Sequence, residues 1–210
     1  KHGGISEALA AVAAAARDIA QGEKQQGGGD DDGELGRVAQ RLPCLFSCGV
    51  VMLNGFGTRA LFLELRDVRA CDERLLAFAA LALWPEAKCI ATDMDPVAID
   101  IARDNAAINQ VKLGHGAGEL LLAIAEGMDS PMLAARAPFD LIIANILAGP
   151  LIELAPDFAK ALAPGGTVIL AGLLDTQADA VIGAYGEFGL SLAHRRAGEW
   201  PVLILAASAP

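Results

Sequence analysis

The stretch Phe139-Asp140-Leu141-Ile142-Ile143-Ala144-Asn145-Ile146-Leu147 decides the fold. Its segment from Phe139 to Ala144 is almost continuously apolar, the pattern of a strand covered on both faces inside a parallel sheet. The run closes on Asn145, a polar amide just past a central strand, where ligand crevices open in doubly wound sheets. An amide there can bond an amine and a carbonyl together. The plainer alternative is a turn-forming asparagine.

Working outward, the same alternation recurs on both sides. Upstream, Leu75 to Leu83 reads as a strongly apolar helix, and Lys88 to Thr92 as a short buried strand. Pro96 to Asn109 follows as a helix with proline in its first turn. Val111 to Leu113 reads as a short strand, and Glu119 to Ala125 as a helix. Downstream, Ile152 to Leu162 reads as a helix ended by Ala163-Pro164-Gly165-Gly166, then Thr167 to Ala171 as a strand. Thr176 to Phe188 is a further helix, and Ser191 to Arg196 with Val202 to Ala207 close the chain as a strand pair. Such alternation predicts an α/β doubly wound sheet of seven strands, mostly parallel, with the last strand antiparallel and helices on both faces.

The amino-terminal part is different in kind. Residues 5 to 20 are Ala-rich with Ser6 as a possible cap, and residues 21 to 36 carry Gly27-Gly28-Gly29 followed by Asp30-Asp31-Asp32. They predict a helix and a flexible linker over 1–36, and a main domain over 37–210. Ala60 to Leu65 looks helical, and the structure of 42 to 54 is left open.

Composition narrows the function. Apolar residues make up 54% of 210, enough for a sizeable core. The net charge of −10 repels phosphate backbones, which argues against direct DNA binding, and it would attract a basic protein partner; the plainer alternative is that the charge only provides solubility. Cys44 and Cys48 lack a matching Cys/His pair, so no metal site is expected. Cys71 and Cys89 read as buried small hydrophobes. Leu75 to Trp84, the longest apolar run, is too short to span a bilayer, and no signal-peptide pattern opens the chain. The expected location is the cytoplasm.

A second acid signal is Ala91-Thr92-Asp93-Met94-Asp95-Pro96. An acid at a strand's carboxyl end takes ribose hydroxyls in nucleotide-binding α/β sheets, because one carboxylate accepts both protons. The alternative is that Asp93 or Asp95 caps the following helix.

Several stretches together resemble one family, the PrmA methyltransferases of large-subunit ribosomal protein eleven. They are Asn145-Ile146-Leu147-Ala148-Gly149-Pro150-Leu151-Ile152-Glu153-Leu154-Ala155-Pro156, Leu162-Ala163-Pro164-Gly165-Gly166, Gly172-Leu173-Leu174-Asp175-Thr176-Gln177-Ala178 and Arg195-Arg196-Ala197-Gly198-Glu199-Trp200. Ala91 to Ala98 and Ala102-Arg103-Asp104-Asn105-Ala106 match its second strand and the helix after it. The resemblance covers about residues 55 to 206. It implies a class I, Rossmann-like methyltransferase domain with S-adenosylmethionine as cofactor. It implies methyl transfer to a lysine or amino-terminal amine of a ribosomal protein, with Asp93 on the ribose and Asn145 near the transferred methyl group. His115, within Gly114-His115-Gly116 after the expected third strand, falls near where adenine would sit; the plainer alternative is an exposed loop histidine.

Three departures accompany the resemblance. Where the family reads D-V-G-x-G-x-G, this chain has Val68-Arg69-Ala70-Cys71-Asp72-Glu73-Arg74, without a glycine. Ala70 and Asp72 would then stand beside the cofactor, adding side chains where backbone should approach it. The family's F-G-T-G-x-H is reduced to Phe56-Gly57-Thr58 followed by Arg59, and residues 1 to 54 do not resemble its substrate-recognition domain. The altered loop predicts weak cofactor binding, with a dissociation constant on the order of 100 micromolar at best. Two functions follow: an active methyltransferase, or a methyltransferase-fold protein without catalysis that serves as a binding or assembly subunit. Cofactor binding separates them. A nicotinamide dehydrogenase is disfavoured, since no G-x-G-x-x-G follows a strand.

Overall fold

In the computed structural model, residues 49–54 and 75–208 are described. The central element is β4, Phe139–Asn145, whose Leu141, Ile142, Ile143 and Ala144 are all buried. Before it come β1 (Gly49–Asn54), α1 (Leu75–Leu83), β2 (Lys88–Asp93), α2 (Pro96–Ile108), β3 (Leu120–Ile124) and α3 (Pro131–Arg136). After it come α4 (Ala148–Glu153), α5 (Ala155–Ala161), β5 (Leu162–Ala171), a 3₁₀ turn (Asp175–Gln177), α6 (Ala178–Gly186), β6 (Leu190–Arg196) and β7 (Val202–Ala207). The helices expected over 5–20 and 60–65 lie outside the described residues, as do Cys44, Cys48 and Cys71.

One sheet of seven strands runs in the order β3-β2-β1-β4-β5-β7-β6. β2 pairs parallel with β3, and β4 parallel with β5, while β7 runs antiparallel to both β5 and β6. The expected antiparallel last strand is therefore present. A second reversal was not expected: β1 sits at the centre, antiparallel to β2 and β4. The segment matched to the family's first-strand loop, 68–74, lies outside the described residues. The central slot is filled by Gly49–Asn54, whose Val50, Val51, Met52 and Leu53 are buried. Either strand direction satisfies the backbone of a central position, so the apolar run can fill the slot reversed.

The two faces separate by strand parity. Val50, Met52, Ile90, Ile142, Val168 and Leu203 pack with Leu133, Leu151, Phe158, Val181 and Tyr185 from α3 to α6. Val51, Leu53, Cys89, Ala91, Leu141, Ile143 and Ile169 pack with Leu76, Phe78, Leu81 and Trp84 of and after α1, and with Ala106 of α2. Cys89 is fully buried, as its apolar setting predicts.

Four other expectations are corrected. The 119–125 helix is strand β3: five residues alongside β2, with Leu120 and Ala123 buried, are too few to gain a helix's bonds but enough to complete a ladder. The 111–113 strand reduces to a single bridge, Leu113 to Leu120. The 152–162 helix becomes two, divided at Leu154, because Pro156 belongs in a first helical turn and lacks the N–H that a continuing helix needs. The Pro164-Gly165-Gly166 stretch also belongs to β5, as a bulge. Phe139 pairs with Leu162 while Leu141 pairs with Thr167, and Gly165 takes up the irregularity at φ +74°.

Candidate active site

Asp93 ends β2 and Asn145 ends β4, both at the carboxyl edge of the parallel strands. Asp93 shares its side of the sheet with Cys89 and Ala91, and Asn145 shares its side with Leu141 and Ile143. Both residues thus belong to the same face. One strand separates them. Gly49 pairs with Asn145, and Val50 pairs with Thr92, so Gly49 stands level with Asp93 as well. Two strand spacings make the separation about 10 Å across the sheet. The strand between them contributes no side chain at that level.

The acid pair divides its work. Asp95 is the helix cap: its Oδ1 accepts from the Val97 amide at 2.9 Å, with Pro96 in the first turn of α2. Asp93 does not cap. It is 6% exposed, and its Oδ1 accepts from the Asp95 amide at 2.8 Å. That bond fixes the turn that leaves β2. A carboxylate offers about four acceptor positions, so it can hold a backbone amide and a ligand hydroxyl together.

The wall beside Asp93 is apolar. Ile124 pairs with Asp93 in the parallel register, and the Ala125 amide donates to the Asp93 carbonyl at 3.0 Å. Ile124 is 57% and Met94 63% exposed at this edge. Sequence reading gave neither a role: making 119–125 a helix lost the third strand's carboxyl end and with it Ile124, and Met94 stood beside Asp93 as an ordinary apolar residue. It missed Gly49 too. The usable signal was a lone glycine before the apolar Val50–Leu53.

On the other side, Gly172 follows directly on β5 with φ +84°, and a Cβ there would lie 3.0 Å from Asn145 Oδ1. The Gly172–Gln177 stretch is tied to the chain's end. Arg195 donates to Asp175 Oδ1 at 2.7 Å and to Asp179 Oδ1 at 2.8 Å, and the Asp175 amide donates to the Glu199 carbonyl. The two stretches singled out as signatures, 172–178 and 195–200, are therefore one bonded unit. Its hydrogen bonds hold Arg195 above the ordinary arginine range.

His115 is corrected. It precedes β3, because the strand lies at 120–124 and not at 111–113. The surrounding loop sits by the start of β2: Gly118 donates to the Ala87 carbonyl, and Arg136 donates to the carbonyls of both Cys89 and His115. That is the amino edge, opposite Asp93 and Asn145. Ala70 and Asp72 lie outside the described residues. Among the described residues no group of three His, Cys, Asp or Glu side chains is arranged to hold a metal, and no helix is long and apolar enough to cross a membrane.

Several known proteins are similar to this chain. A ribosomal protein L11 methyltransferase from Brucella suis is 50% identical over 116 residues, which are 55% of this chain and 38% of that protein. The counterpart from Mesorhizobium japonicum is 47% identical over 110 residues, 52% of this chain and 35% of that protein. The chain thus spans well under half the length of these relatives. Among solved structures, the ribosomal protein L11 methylase of Lactobacillus delbrueckii subsp. bulgaricus superposes with a TM-score of 0.55 at 29% identity, covering 64% of each chain. Residues 70–207 match the family model for ribosomal protein L11 methyltransferase (PrmA), and the chain belongs to that family.

Proposed function

We propose that this chain is an S-adenosylmethionine-dependent N-methyltransferase domain that acts on an amine, lysine or amino-terminal, of a ribosomal protein in the cytoplasm. The observation that carries the reading is the placement of Asp93 and Asn145 on one face and one edge, flanking a position without a side chain. The residues present fit an adenosyl ligand: a buried carboxylate for the ribose hydroxyls, Ile124 and Met94 as apolar surface for the base, and an amide at the far side. When bound, the cofactor supplies an electrophilic methyl group. The chain then has little acid–base work to do, since methyl transfer to an amine needs alignment and a deprotonated nucleophile. The Asn145 amide can accept from the amine and donate to a neighbouring carbonyl, which fixes the line of approach. An acidic chain of net charge −10 draws a basic ribosomal protein toward it.

Calorimetry with S-adenosylmethionine and S-adenosylhomocysteine tests the cofactor half. Transfer of a labelled methyl group to ribosomal protein L11 tests the rest. Binding without transfer would leave the non-catalytic binding-subunit alternative standing. No binding at millimolar ligand would overturn the proposal.

A further inference from the structure

The Val68–Arg74 segment offers no glycine where the family needs one, yet the strand between the two site residues does. We infer that Gly49, on the reversed strand β1, is the residue that keeps the cofactor crevice open in this chain. The inference rests on the proposed function and deepens it.

The argument is one of register. Gly49 pairs directly with Asn145, and the Val50–Thr92 pair brings it level with Asp93. Within β1, Val51 and Leu53 share Gly49's parity, and both pack on the face that carries Cys89, Ala91, Leu141 and Ile143. By register and strand parity, position 49 therefore belongs to the face of Asp93 and Asn145, between them. Strand neighbours stand about 4.8 Å apart, so any branched side chain there would occupy the space between carboxylate and amide. Gly49 is otherwise a poor choice. Glycine weakens a strand by its entropy and by packing nothing, and it often marks a close approach of ligand or backbone. A parallel first strand would bring a following loop to this edge. The reversed strand brings its own first residue, and at that residue it is glycine.

The test exploits two opposite expectations. Gly49→Val should keep or raise the thermal midpoint, because valine suits a central strand. The same variant should lose S-adenosylhomocysteine binding by at least tenfold in calorimetry. Gly49→Ala should fall between wild type and Gly49→Val. Met52→Leu, on the other face of the same strand, should bind as wild type does. Wild-type affinity in folded Gly49→Ala and Gly49→Val would overturn this inference while leaving the proposed function intact. Absence of binding by the wild-type chain would overturn both. If Gly49→Val does not fold, the alanine variant decides alone.

Discussion

Gly172 lies flush against Ile146: a Cβ on the glycine would stand 2.6 Å from the Ile146 carbonyl oxygen and 2.9 Å from its amide nitrogen. The obstacles are backbone atoms, which cannot swing aside. Gly172 also has φ +84°, a region that costs an L-residue about 1–2 kcal/mol. Gly172→Ala should therefore destabilise the fold by about 2–3 kcal/mol once the clash is added. Gly183→Ala provides the contrast. It lies in α6 with no atom within 4 Å of its Cβ position, so alanine should add about 0.5–1 kcal/mol. Urea denaturation of both variants checks the pair. Equal effects would mean that the close approach at Ile146 is not a constraint.

Asp95→Ala and Asp93→Ala separate the two acids. The first removes the cap of α2 and should cost about 1 kcal/mol of stability with little change in ligand affinity. The second should weaken S-adenosylmethionine by about 1–3 kcal/mol, the usual loss for a charged hydrogen-bond partner. Calorimetry beside thermal unfolding distinguishes them. Unchanged affinity in Asp93→Ala would remove that residue from the site.

Much of this was legible in the sequence, and the failures have physical causes. β4 could be read because six consecutive residues leave a strand covered on both faces no other good solution. The first described helix, Leu75–Leu83, and the last described strand, Val202–Ala207, were read to the residue. β3 was misread because Leu-Leu-Leu-Ala-Ile favours a helix by propensity, and only pairing to β2 makes it a strand. That single error moved His115 to the wrong edge and hid Ile124. The reversal of β1 was invisible for another reason: an apolar run fixes burial but not direction. The strand-end positions of Asp93 and Asn145 could be read because each polar residue ends a buried run.

Arg195 holds Asp175 and Asp179 from the neighbouring strand-end, with its side chain 30% exposed and theirs 53% and 90%. Pairs this open are screened by salt. Arg195→Ala should lower the thermal midpoint slightly in dilute buffer, and the difference should vanish in concentrated salt. Arg195→Lys should recover only part of the loss, because an ammonium cannot span two carboxylates as the planar guanidinium does. A salt-independent loss in Arg195→Ala would point to packing by the arginine stem instead.

Two buried groups predict the alkaline limit of the fold. Burial pushes the Cys89 thiol from 9.0 up to about 12, with the Arg136 charge opposing this only in part. Burial likewise pushes the Tyr185 phenol above its ordinary value of 10.0. In both cases the folded state favours the neutral form. Below about pH 9 both groups are protonated in the folded and unfolded chain, so their contribution is complete and flat. As pH rises from 9 toward 12, the unfolded chain releases the thiol proton while the folded chain keeps it. Stability then falls by up to about 1.4 kcal/mol per pH unit for each such group, with Tyr185 joining above pH 10. Among the described residues the buried Tyr185 hydroxyl has no hydrogen-bond partner, and the Tyr185 and Phe158 ring centroids lie 6.4 Å apart. Tyr185→Phe should therefore be neutral or gain up to about 1 kcal/mol at pH 7, and it should shift alkaline unfolding to higher pH. The chain has one tyrosine, so phenolate absorbance follows this residue alone. It should appear together with the loss of helical circular dichroism and not before. A phenolate that titrates near pH 10 while the fold stays intact would show that the Tyr185 hydroxyl reaches water.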